Sequence, residues 1–162
     1  SNQNPAWRQR LYAVVGFVPS PEIRLPDALR DRKITNPDGP LVDCRITLTV
    51  EDKSTTVAPV LLANVDRYDP AAGGSFFRYL TFQLLVVEAV DEERWRPSLR
   101  DGMPILLDPK TTPAYLDRIG KNTRYIIHPD EILADNFVHL VFRTPDLSSP
   151  RILEDLRAAL EK

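Results

Sequence analysis

The sequence predicts an α+β fold, with terminal helices around a small, mainly antiparallel β-sheet. Three observations predict it. A proline-started segment near the beginning carries its apolar residues on one face, the middle alternates between apolar and polar residues, and the end carries a second helical apolar stripe.

In chain order, Asn4 can cap a helix, Pro5 suits its first position and Gly16 can end it, which places a helical start at 4–16. Trp7, Leu11, Val14 and Val15 fall on one side of that helix. Pro19, Pro21 and Pro26 then break the chain and leave a short helix at Pro26–Arg32, followed by a turn at Asn36-Pro37-Asp38-Gly39-Pro40.

A β-rich middle spans 42–107. Cys44–Glu51 sets Cys44, Ile46, Leu48 and Val50 against Arg45, Thr47 and Thr49, and Val57–Ala63 and Phe76–Val87 are further strands. Pro59 cannot donate to a ladder, so its strand is expected at an edge or a bulge. Asp69-Pro70-Ala71-Ala72-Gly73-Gly74 reads as a flexible loop, and Arg94–Pro109 as irregular.

The helical C-terminal part covers 112–162. Thr112-Pro113 starts a short helix through Ile119, ended by Gly120. A second helix runs over Pro129–Phe142. Ser149-Pro150 caps a third, whose Ile152, Leu153, Leu156 and Leu160 face the core.

Composition narrows the function classes. With 162 residues and 43% hydrophobic, the chain suits a single domain or fragment with a true core. A net charge of -2 recommends neither nucleic acid nor an anionic membrane as partner, and Leu84-Leu85-Val86-Val87 is too short an apolar run to span a bilayer. The single cysteine, Cys44, excludes an internal disulfide and reads as a buried small hydrophobe. The chain has no initiator Met and enters a helix almost at once, so a piece of something longer is expected.

The segment Tyr125–Phe137 holds the most chemistry. With Pro129 first in the helix, His128 falls at the cap and Asp130 and Glu131 in the first turn, where carboxylates complement the helix dipole. Leu133, Phe137, Leu140 and Val141 make the expected apolar face, while Glu131, Asp135 and His139 recur at every fourth position on another. Helix-start chemistry alone accounts for the acidic residues. A metal site accounts for them too, because a carboxylate one turn beyond a ligand can orient a metal-bound histidine.

Residues His128-Pro129-Asp130-Glu131-Ile132-Leu133-Ala134-Asp135-Asn136-Phe137 resemble the glutamate helix of gluzincins, with its Glu-x-x-x-Asp/Glu pattern followed by an aromatic. They are similar to the corresponding helix of thermolysin-like peptidases and closer to that of anthrax-lethal-factor-like metallopeptidases. The opening Ser1–Tyr12 and the Asn36-Pro37-Asp38 turn also resemble a group of bacterial zinc-peptidase-like proteins, just after their histidine helix. The resemblance implies a zinc-dependent peptidase in which Glu131 is a zinc ligand and Asp135 the acceptor for a ligand histidine. Tyr125, six residues before Glu131, is implied as the oxyanion stabiliser, and His128 is its rival.

The two histidines, His128 and His139, do not form the His-Glu-x-x-His motif that supplies the other ligands. The resemblance therefore describes the C-terminal part of a larger parent. Zinc and a peptide or protein substrate belong to that parent, and the fragment alone is expected to bind no metal and to be inactive. The alternative is a non-catalytic protein- or peptide-interaction domain.

Other constellations are weaker. A serine hydrolase lacks its Gly-x-Ser-x-Gly elbow, and Gly73-Gly74 lacks a phosphate-loop context. Cys44 with His128 or His139 would make a thiol–imidazole pair, although a lone strand cysteine is ordinarily packing. Asp135 with His139 lacks a third ligand. Arg78, Tyr79 and Phe82 suggest a base-stacking strand, but without a basic surface around it.

Overall fold

A computed structural model describes residues 4–34, 41–65 and 75–161. The expected turn at 36–40 and loop at 69–74 lie outside them.

The first helix, α1 (Pro5–Val14), begins as anticipated, with the Asn4 side chain accepting from the Trp7 amide at 3.1 Å. Gly16 follows with φ +83, and the chain turns directly into β1 (Phe17–Pro19). The short helix α2 (Asp27–Arg30) and the two-residue β2 (Lys33–Ile34) come next. Both β1 and β2 fall in proline-rich sequence, where alternation is too short to announce a strand.

The sheet is built on β3 (Cys44–Val50), β4 (Lys53–Ala63) and β5 (Leu80–Ala89). A two-residue hairpin joins β3 to β4, with Glu51 and Asp52 both at positive φ (49° and 61°), as such turns require. Phe76–Tyr79, expected as the start of a strand, is instead a 3-10 turn. In the stretch expected to be irregular, β6 (Trp95–Pro97), β7 (Leu99–Arg100), β8 (Met103–Pro104) and β9 (Leu106–Leu107) follow as short strands.

Among the described residues, β1, β3, β4, β5 and β6 pair in that order, β2 adds to β4 and β9 to β5, and these form a seven-stranded sheet. Its pairings are antiparallel. The fold is therefore α+β.

Pro59 departs from expectation in an instructive way. Its strand is central, not an edge. Yet β3 leaves β4 at Val57 and β2 joins it only at Leu61, so Pro59 opposes Leu84 of β5 and, among the described residues, has no strand partner on its other flank. A residue without an N–H fits such a seam.

Alternation along the strands divides the core into two layers. Cys44, Ile46, Leu48, Val57 and Leu84 face the helices and meet Tyr12, Val15, Tyr115, Ile119, Ile132 and Ile152. Ala58, Val60, Leu62, Leu85 and Val87 face the other way, where Ile23, Leu29 and Val42 cover them. Three helices complete the first layer: α3 (Pro113–Ile119), α4 (Pro129–Phe142) and α5 (Pro150–Leu160). None of the described helices is long and apolar enough to cross a membrane.

Ser149 stands at the α5 cap position, but its hydroxyl does not cap the helix. It accepts instead from the Lys121 amide at 3.0 Å, which ties the entry of α5 to the exit of α3.

Candidate functional site

Helix α4 begins where its sequence dictates. The His128 ring caps it, Nδ1 accepting from the Asp130 amide at 3.3 Å, and Pro129 occupies the first turn. Accepting at Nδ1 puts the proton of the neutral ring on Nε2. That nitrogen lies 4.0 Å from the Cys44 sulfur, and the ring stands edge-on to Tyr12 at 82°. Both ring nitrogens of His128 are thus used inside the fold.

The buried side of α4 is only partly the one anticipated: Leu133 is buried and Leu140 packs against the core, but Phe137 and Val141 do not join them. Pro129, Ile132, Leu133 and Asn136 are buried, whereas Phe137 and Val138 are half exposed, and Val141 and Phe142 are 58% and 77% exposed. Hydrogen bonding decides the orientation. Asn136 donates to the Ile132 carbonyl at 2.8 Å and accepts from Asn122 at 2.9 Å, so a polar residue is satisfied in the interface where Phe137 was expected.

Glu131, Asp135, Val138 and Phe142 recur at i, i+4, i+7 and i+11, and therefore form one stripe along the helix. This stripe borders the exposed apolar face. Glu131 is partly buried, and its Oε2 is enclosed without a hydrogen-bond partner among the described residues. Asp135 accepts from the Thr123 hydroxyl, which in turn accepts from the Tyr125 amide at 2.9 Å. The Tyr125 side chain is 60% exposed. Thr123 thereby links two of the sequence-predicted residues, and its sequence context gave no signal of that.

His139 faces inward to a polar joint. Its Nε2 is 3.1 Å from the Asn122 carbonyl, which can only accept, so Nδ1 takes the proton of the Thr144 hydroxyl at 3.2 Å. With both nitrogens occupied, His139 is not free to bind a metal beside Asp135.

Among the described residues, the group of potential ligands whose donor atoms lie within 4.8 Å of one another is Asp43, Cys44 and His128. Glu131 does not belong to it. Every member of the group is already satisfied. Asp43 pairs with Arg8 at 2.8 Å, Arg8 also donates to the Tyr12 hydroxyl at 3.1 Å, and His128 presents a protonated nitrogen to the sulfur. Burial pushes the Cys44 thiol well above its ordinary range, with the Asp43 charge adding to the effect. The trio is a packed polar joint between α1, β3 and α4.

The thiol is accordingly a poor nucleophile. Cys44 in the folded protein is expected to react with a thiol reagent orders of magnitude more slowly than in urea-unfolded protein. A burst of labelling under native conditions would show that solvent reaches it.

Comparison with protein-family models, curated proteins and solved structures finds no match. Any functional assignment therefore rests on these residues and their geometry.

Proposed function

We propose that the chain is the C-terminal part of a zinc-dependent metallopeptidase, with α4 as its glutamate helix. The observation that carries the reading is the state of the α4 stripe. Among the described residues, Glu131 has an enclosed carboxylate oxygen without a partner, one turn from Asp135 and beside an exposed apolar face. A carboxylate left in that condition costs free energy unless another group completes it. A zinc ion suits it, and the histidine ligands would come from a parent segment that covers Phe137, Val138, Val141 and Phe142.

In this reading zinc would polarise the peptide carbonyl and make its bound water a nucleophile near neutral pH. This chain contributes the rest of the environment. Glu131 supplies one oxygen ligand. Asp135, held by Thr123, keeps its other oxygen for the N–H of a ligand histidine. Tyr125 presents an exposed hydroxyl suited to an oxyanion, whereas His128 has committed both nitrogens elsewhere.

The test is the zinc content of the full-length parent. Stoichiometric zinc is expected, lost on Glu131→Ala, with affinity falling about 10–100-fold on Asp135→Ala. Unchanged metal in the Glu131 variant rejects the ligand role. The parent gene is also expected to encode a His-Glu-x-x-His motif upstream of Ser1.

A second reading, a non-catalytic interaction domain, is favoured by one observation. Glu131 has no cluster of ligand-type neighbours among the described residues. A parent that lacks bound zinc yet needs the α4 face to hold a protein or peptide would establish it.

A further inference from the structure

On different elements from the α4 stripe, a cleft of about 320 Å³ opens between α1, α3 and α5. Three arginines line it, Arg10 from α1, Arg118 from α3 and Arg151 from α5, against one carboxylate, Asp155. Asp155 is taken by Arg151 at 2.8 Å. The cleft thus holds three fixed positive charges and one negative charge, an excess that matches a dianion.

The arginines are placed by the fold rather than scattered on a surface. Arg118 lies across Gly16, where a Cβ would come within 2.5 Å of its Nε, and it donates to the Ala13 carbonyl at 3.3 Å. Only a residue without a side chain leaves that room, and Gly16 also holds φ +83. Arg10 stacks on the Trp7 ring at 4.7 Å, and its Nε is enclosed with no hydrogen-bond partner among the described residues. Burial, and after it the charge of Arg151, hold the Arg118 guanidinium below its ordinary value. Like charges gathered along one cleft repel one another, and an anion between them relieves that repulsion.

We propose that this cleft binds a small phosphate monoester. The guanidinium forks of Arg10, Arg118 and Arg151 recognise the dianionic phosphate, since planar paired donors match its oxygens. The remaining wall is apolar, formed by Ala13, Val14, Ala158 and Ala159, and receives the organic group. The volume lies at the lower end for small-molecule sites, which favours a compact ester. This site is independent of the zinc reading and stands or falls separately.

The experiment is titration of the 162-residue protein with phenyl phosphate, inorganic phosphate and acetate at constant ionic strength, followed by amide NMR shifts. Phenyl phosphate is expected to bind saturably and move Ala13, Val14, Ala158 and Ala159, with inorganic phosphate competing and acetate not. Arg118→Met is expected to weaken binding roughly tenfold or more, the effect of losing a charged hydrogen bond. Arg151→Gln, at a 53% exposed side chain, keeps the fold intact and is expected to weaken it similarly. Non-saturating shifts, equal affinity in Arg151→Gln, or equal competition by acetate would overturn the proposal.

Discussion

Gly120→Ala is expected to destabilise the protein by about 3 kcal/mol or more, measured by urea unfolding. Two separate costs produce that figure. Gly120 adopts φ 85 and ψ 165, a region essentially reserved for glycine, and holding another residue there costs roughly 1–3 kcal/mol. An added Cβ would also lie 2.7 Å from Cγ1 of Ile152, a fully buried residue of α5, so repacking adds roughly another 1–3 kcal/mol. A loss under about 1 kcal/mol would mean that α3 and α5 can move apart at little cost, against the close packing typical of cores.

The same glycine is announced by the sequence as the end of α3, while its conformation is not. A glycine ending α3 is visible from composition, and so are the bounds of α4 at Pro129–Phe142 and the Asn4 cap of α1. These are local effects, in which one residue's geometry or hydrogen bond decides. That Gly120 is extended on the positive-φ side, and that Ile152, more than thirty positions away, leaves no room for a Cβ there, is not legible locally.

The strand boundaries missed by the sequence have a similar origin. Glu51-Asp52 forms a tight hairpin without the glycine or asparagine that usually marks one, and Pro59 sits centrally because the seam between β3 and β2 accommodates it.

For the candidate site, the sequence placed Glu131 and Asp135 on one stripe, and helix geometry alone guarantees that. It could not say which side of α4 is buried. Phe137 and Val141 were expected beside Leu133, but Ile132 and Asn136 are buried in their place, and Asn136 is satisfied there by Asn122, in a preceding loop with no pattern of its own. Nor does spacing bring Cys44 to His128, which strand β3 and the α4 cap do together.

Asn122→Ala should cost about 3 kcal/mol, the second large effect. The Asn122 side chain donates to Asn136 and to the Ser149 carbonyl at 2.8 Å, and accepts from the Ser149 amide at 2.7 Å. Removing it strands a buried Asn136 oxygen, which costs roughly 1–3 kcal/mol, and two part-buried Ser149 backbone groups, which add less because water can reach them. Asn136→Ala alone should cost somewhat less, because fewer partners depend on it. In the double variant the losses should fall short of additive by about 1 kcal/mol or more, as for residues sharing one network. Strict additivity would mean that the two amides act independently and that something else orients α4. The coupling matters for function because the Asn122 main chain also receives His139, while its neighbour Thr123 holds Asp135. One short loop thus fixes both the buried side of α4 and the carboxylate on its open side. Loosening Asn122 should therefore speed amide exchange along α4 around Asp135 and His139, while leaving the distant β3–β4 hairpin protected.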